Sequence, residues 1–425
     1  MGEDKEVNTR GNTGGESLAG RDSISTQLLN YFLPGLDPQQ LARARAILLQ
    51  HVYDFWVDGV LHKSLHNEIL LSLGMAIRLR AVDTPPWTMI LQTPAEPDRP
   101  LPPGTKISTV FEHSLLILGA PGAGKTTVLL ELARDLLARA AQDPMHPIPV
   151  VFHLSSWAVA RPPLAIWLVD ELNQRYPVSK KLAQHWVEHD ALLLLLDGLD
   201  EVQPQYQNAC IDAINTFQQE RKVDLVVCSR IGDYKAQKSR LQLARAVLLQ
   251  PLTLSQVAEY LDRFGSEYTA LWQALNTDEA LQEAAESPLL LNMMMITYQG
   301  MTAPPSEQQG LPAYRQTLFN GYVRRLLVCP RCPPPDLSHQ LLWWLVKLAN
   351  AMLERHQTLL LIEGLQPDWL QRRHRVWVYR LLVGLLVGLL FGVTLGLVSG
   401  PMFGLLSALL VGLVSGPMFG LLRGF

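Results

Sequence analysis

Ser114-Leu115-Leu116-Ile117-Leu118 runs straight into Gly119-Ala120-Pro121-Gly122-Ala123-Gly124-Lys125-Thr126, and an amphipathic stretch follows from Thr127. An apolar run, a glycine-rich turn closed by Lys-Thr and a helical period together fill every fixed position of the P-loop pattern. Glycines let the backbone wrap a phosphate chain closely, and the helix that follows offers unpaired N–H groups to an anion. Gly119, Gly122, Ala123, Gly124, Lys125, Thr126 and Thr127 are therefore assigned to nucleotide binding. Lys125 is expected to reach the β- and γ-phosphates, and the Thr126 hydroxyl to face Mg²⁺. A glycine-rich turn with no ligand would not need the Lys-Thr pair.

The pattern around this loop repeats. Short apolar runs at Leu115–Leu118, Ile148–Leu154, Ala191–Leu196, Leu225–Cys228 and Val247–Leu249 are separated by amphipathic stretches such as Thr126–Ala141 and Tyr206–Gln219. Buried strands alternating with helices predict an α/β fold with a mostly parallel sheet covered on both faces. After Thr253 the signal is helical, from Leu254–Phe264 to Leu341–Leu353, with Pro330–Pro335 dividing it.

Two further strand ends carry chemistry. Leu192–Leu196 leads into Asp197-Gly198-Leu199-Asp200-Glu201. An acid at the end of a buried strand can reach a metal held beside the P-loop, so Asp197 is the expected Mg²⁺ partner, through water. Asp200 and Glu201 are candidates to orient or deprotonate an attacking water. Val226-Val227-Cys228-Ser229-Arg230 ends in a cation that can sense a γ-phosphate or stabilise transition-state charge. The competing reading of Arg230 is a strand-end cation paired with a surface acid.

Composition sets the outer limits. The chain has 425 residues, 48% hydrophobic and 18% charged, and a net charge of −3. That excludes a disordered chain and gives no basic footprint for nucleic acid. Four cysteines are too few for a disulfide scaffold. Cys329-Pro330-Arg331-Cys332 is a single CxxC with no second pair, which is short of a zinc site. Cys210 and Cys228 read as small apolar residues, and Trp343-Trp344 as helix core or interface.

The two ends differ from the middle. Residues 1–26 are polar and read as a loose tail with no secretory signal. Asp37-Pro38 opens a helical region over 27–84, with Asp as cap and Pro at the first position. Seven prolines between Pro85 and Pro103 predict an extended linker over 85–108. At the other end, Leu381–Leu422 is forty-two residues without Asp, Glu, Lys, Arg or His. Gly396–Leu406 recurs unchanged as Gly412–Leu422, and glycine falls at every fourth position over most of the stretch. Such spacing lets membrane helices approach closely, and the length fits two spans of about twenty residues with a turn at Gly400-Pro401. Arg372, Arg373, Arg375 and Arg380 place the preceding domain on the cytoplasmic side. The sequence ends inside the repeat with no polar tail, as expected of a fragment or a truncated gene.

Together these residues resemble the NACHT family of signal-transducing P-loop ATPases. The resemblance covers about Leu115 to Leu327 and rests on the P-loop, on Gly198 and the acidic pair after Asp197, and on Cys228-Ser229-Arg230. Ser287-Pro288-Leu289-Leu290-Leu291 is similar to the family's helical-domain proline segment, which implies that Pro288 packs against the base. The Phe55-Trp56 helix and Gln366-Pro367-Asp368-Trp369-Leu370 are similar to bacterial members with membrane segments. The family implies a slow ATPase switch, closed with ADP and oligomeric with ATP. Its usual winged-helix histidine has no equivalent, since His356 reads as a helix-face residue. The sequence has no Asn-Lys-x-Asp base-reading segment and no Leu-Ser-Gly-Gly-Gln-like helix start. That favours ATP over GTP and disfavours a transport ATPase.

The expected organisation is an NTPase core over 109–252, a helical domain over 253–328, a partial winged-helix region over 329–380 and a transmembrane segment over 381–425. The expected function is a membrane-tethered, nucleotide-controlled switch with the NTPase in the cytoplasm. Its expected partners are nucleotide, lipid, further copies of itself and an effector or sensor protein. The alternative is a nucleotide-binding membrane scaffold without significant hydrolysis.

Overall fold

Side chains alternate faces along a strand, so a run buried at every position needs cover on both sides. Ser114–Gly119, Ile148–His153 and Leu192–Asp197 are buried at all six positions each. The computed structural model describes residues 38–62, 88–93, 96–102, 104–299, 311–327 and 335–354. Its strands are β1 (Met89–Thr93), β2 (Glu96–Pro100), β3 (Ser114–Gly119), β4 (Ile148–His153), β5 (Leu192–Asp197), β6 (Leu225–Arg230) and β7 (Arg245–Leu249). They form one sheet in the order β2-β1-β7-β3-β6-β5-β4. The five strands β3 to β7 run parallel, as their apolar runs predict.

The region expected as a Pro-rich linker is extended, but it is not free. Residues 89–93 pair antiparallel with β7, with Met89 opposite Leu249 and Gln92 opposite Ala246, and β2 pairs outside β1. Proline is tolerated there because β2 lies at the sheet edge, where an outward N–H is not needed. The sheet therefore begins about twenty residues before the boundary expected from composition.

Upstream, helix α1 (Pro38–Val52) continues as a wider π-type turn over Tyr53–His62, burying Leu41, Leu48, Val52, Trp56 and Val57. It packs on β4 and on the P-loop helix α2 (Lys125–Gln142). Arg45 donates to the carbonyls of Ala140 (3.0 Å), Asp143 (3.2 Å) and His146 (2.7 Å). A cation at a helix C-terminus meets carbonyls that have no intrahelical donor, so Arg45 closes the far end of α2. Helices α3 (Leu164–Arg175), α4 (Lys180–Glu188) and α5 (Pro204–Glu220) complete the cover.

After β7 come α6 (Leu254–Asp262), α7 (Thr269–Leu275), α8 (Glu279–Ala285), α9 (Pro288–Tyr298) and α10 (Leu311–Leu327). Tyr268, Leu275, Met294, Ile296 and Leu318 lie at the heart of their shared core. Helix α11 (Pro335–Glu354) reaches the point where the chain divides into units 1–341 and 342–425. Trp343 and Trp344 on it are 54% and 60% exposed, so they are not helix core.

Among the described residues no helix is long and apolar enough to cross a membrane. The expected tail, the Cys329–Cys332 pair, His356, Gln366–Leu370 and the glycine-rich stretch 381–425 lie outside the described residues, as does most of the expected winged-helix region.

Candidate nucleotide-binding site

The site lies at the C-terminal tips of β3, β6, β5 and β4, where parallel strands hand over to loops. Gly119 ends β3 so tightly that an added Cβ would stand 3.2 Å from both Ala123 Cβ and Leu249 Cβ. Gly122 and Gly124 have φ of +74° and +89°, a region that L side chains rarely adopt. Gly124 is the N-cap of α2, and no side chain caps that helix. The backbone N–H groups of Lys125, Thr126 and Thr127 are those of the first turn, the part of a helix that an anion satisfies best. Lys125 Nζ donates to Ala120 O at 3.1 Å and lies 3.4 Å from Gly119 O, which keeps the ammonium at the mouth of the loop.

The predicted metal residues meet. Thr126 Oγ1 donates to Asp197 Oδ2 at 2.8 Å, across seventy-one positions of sequence. Asp197 ends β5 and is only 6% exposed. A hydroxyl and a carboxylate side by side form a hard oxygen donor set, which suits Mg²⁺. Behind them lies Cys228, whose thiol burial pushes its pKa well up, so it acts as packing. Cys210 behaves alike, its pKa pushed up to about 12.

Gly198 explains why a small residue follows the first acid. Its φ is +77°, and a Cβ there would lie 2.8 Å from Glu201 Oε2. Glu201 thus folds back over Gly198. Asp200 and Arg230, assigned separate roles from sequence, are bonded to each other. Arg230 Nε lies 2.8 Å from Asp200 Oδ2, and the Arg230 backbone N–H donates to Asp200 Oδ1 at 3.0 Å. The reading of Arg230 as a cation paired with an acid is therefore met in part, but the acid belongs to the site.

Pro288 comes to the P-loop through the start of α9. Ser287 is the N-cap and Pro288 the first residue, where its missing N–H costs nothing. The next N–H, of Leu289, donates to Gly122 O at 3.3 Å. Ser287 Oγ sits where a Gly122 Cβ would approach to 2.7 Å. A helix start thus rests on the P-loop itself.

Sequence reasoning missed two residues here. Gln207 Nε2 donates to the carbonyls of Asp200 (3.2 Å) and Val202 (2.9 Å), and Gln237 in turn donates to Gln207. A buried glutamine in the first turns of an amphipathic helix gives no local signal of this. The other is His153, which ends β4 directly beside Asp197.

Residues 113–268 match the family model described as the NACHT domain. The matched stretch holds the P-loop, the acidic loop after β5 and Arg230. Similarity to solved structures is low. The Aeropyrum pernix ORC1 protein in complex with DNA is 16% identical with a TM-score of 0.34, over 79% of this chain and 82% of that one. Drosophila ORC bound to DNA gives 18% and 0.28 over 56% and 74%, and C. elegans PCH-2 gives 17% and 0.26 over 50% and 61%. At these scores the likeness carries no weight for substrate or partner. No curated protein matches the chain.

Proposed function

We propose that this NACHT protein is a switch that binds ATP and ADP with Mg²⁺, hydrolyses ATP slowly and changes its assembly state with the nucleotide. The observation that carries the reading is the contact of the Thr126 hydroxyl with Asp197, beneath an uncapped helix start and beside Lys125. Bound there, Mg²⁺ would neutralise charge on the β- and γ-phosphates, held by Thr126 and, through water, by Asp197. Lys125 and the first-turn N–H groups bind and orient the phosphates. Asp200 and Glu201 supply the carboxylates that can accept a proton from water. The start of α9 is tied to the loop by Leu289 and Ser287, both of which donate to Gly122 O.

Membrane tethering through 381–422, with the NTPase in the cytoplasm, belongs to the same proposal. Its support is the uncharged stretch, the preceding arginines and the exposed Trp343 and Trp344, since tryptophan favours membrane–water boundaries. Signalling or defence through an effector protein, and assembly of several copies, follow from the family resemblance.

A second reading has one observation in its favour. The Asp200 carboxylate is taken by Arg230 at both oxygens, which fits a scaffold that binds nucleotide without turnover. Nucleotide binding and steady-state phosphate release on the full chain separate the two. Lys125→Ala is expected to abolish ATP–Mg²⁺ binding, and unchanged affinity overturns the site. Asp200→Asn is expected to keep binding and to lower phosphate release by about a hundredfold, the scale for removing a general base. Release no faster than background in the wild type favours the scaffold.

A further inference from the structure

His153 is 8% exposed, and neither ring nitrogen has a hydrogen-bond partner among the described residues. Burying a polar group without a partner is costly, so such groups in native proteins nearly always meet protein, a ligand or an ordered water. The position of this one is specific. His153 is the last residue of β4 and is paired in register with Asp197, the last of β5. Register partners in a sheet point to the same face, so the imidazole stands beside the metal-binding carboxylate. The other charged group facing it is Arg175, which is bonded to Glu171 at 2.6 Å. Ser156 donates to the second Glu171 oxygen at 2.8 Å. The neighbouring acid is thus engaged and offers the ring nothing. A neutral imidazole has one nitrogen to donate and one to accept.

The ring plane is set from elsewhere in the chain. Trp56 packs tilted against His153, with centroids 5.2 Å apart and planes at 47°. The indole is itself fixed, because Trp56 Nε1 donates to Tyr176 Oη at 2.9 Å and Tyr176 Oη donates to Val151 O at 2.6 Å. All three residues are buried or lie on a buried strand.

We propose that His153 is a positioning residue of the magnesium site, holding by a ring nitrogen a water of the metal's hydration shell beside Asp197, with Trp56 fixing the ring from the N-terminal helical region. This rests on the reading of the P-loop as a nucleotide–Mg²⁺ site. It adds the N-terminal helices to that site, since displacing Trp56 would release the ring.

The test measures nucleotide binding by the full chain, in EDTA and across a Mg²⁺ titration. Groups that hold a metal's ligands in place typically change affinity by about 10–100-fold when removed. His153→Leu is expected to raise the half-saturating Mg²⁺ concentration by about tenfold, with affinity in EDTA unchanged. His153→Gln, which keeps a donor and an acceptor, is expected to restore most of the loss. A His153→Leu titration that superimposes on the wild type overturns the proposal. So does equal weakening in EDTA and Mg²⁺ that His153→Gln does not relieve, which would mean packing alone. If His153→Leu fails to fold, ring ¹⁵N shifts of His153 in the wild type decide. They are expected to move when Mg²⁺ is added to the ATP-bound protein, and static shifts overturn the proposal. A wild type that binds no nucleotide removes the site reading instead.

Discussion

Helices α2 and α6 begin in opposite ways. Helix α6 starts at Thr253, whose hydroxyl accepts from the Gln256 backbone while the Gln256 side chain accepts from the Thr253 N–H. Helices α4 and α8 are capped in the same spirit by Ser179 and Asp278. Helix α2 starts at Gly124 with φ +89° and no capping side chain. A cap contributes about 1 kcal/mol, so leaving it out of the longest helix in the core is a local sacrifice of stability. Helices α3, α5, α7 and α9 also lack a side-chain cap, so what sets α2 apart is the left-handed glycine at its start, in the P-loop. Capped starts satisfy their own donors, whereas the P-loop helix keeps its donors for a phosphate.

Helix α9 falls between these cases, and it allows the comparison to be broken. Its second N–H is satisfied by Gly122 O, a carbonyl of the P-loop. Gly122→Ala is expected to have the largest effect, because φ +74° and a 2.7 Å approach to Ser287 Oγ act together. Left-handed backbone at a non-glycine residue costs about 1–3 kcal/mol before any clash. Thermal unfolding of Gly122→Ala, Ser287→Ala and the double variant separates the terms. The double variant should recover the clash and keep the backbone strain, and strict additivity would show that α9 does not press on the loop.

Arg230→Ala comes next. It removes a cation bonded to Asp200 at the tip of β6, between the P-loop and the acidic loop. The expected result is ATP affinity weakened about tenfold more than ADP affinity, a difference of about 1.4 kcal/mol. Calorimetric titration of both nucleotides checks it, and equal losses would make Arg230 structural. The smallest effect is at the ordinary cap. Thr253→Ala should lower the unfolding midpoint by the few degrees that about 1 kcal/mol represents, leaving nucleotide affinity unchanged. A change in affinity would show that the start of α6 belongs to the site.

The parallel strands were legible because each is a short run of Leu, Ile and Val with no polar alternation, the mark of cover on both faces. The P-loop was legible because its residues are contiguous and their spacing is dictated by one phosphate chain. The β1–β2 hairpin was not, since its prolines and acids mimic a linker and its partner, β7, lies some 150 positions away. Periodicity reports how deeply a residue is buried, not what it is buried against. The same limit hid the Arg230–Asp200 bond, although each half reads separately as a candidate site residue. It also hid His153, which reads locally as the polar end of an apolar strand. Pro288 is read only through resemblance, and the structure shows the residue after it, Leu289, donating to Gly122 O.

Arg45 changes what counts as the smallest independent piece of this protein. The family match begins at residue 113, yet β7 is hydrogen-bonded to β1 at residues 89–92, and α2 is closed by a side chain at residue 45. Excision at the match boundary would open β7 as an unprotected edge and bare the apolar surface under Leu48, Val52 and Val57. An exposed edge beside an exposed apolar patch is a template for aggregation. The heritable module and the folding module are thus of different lengths, and the second begins by Pro38.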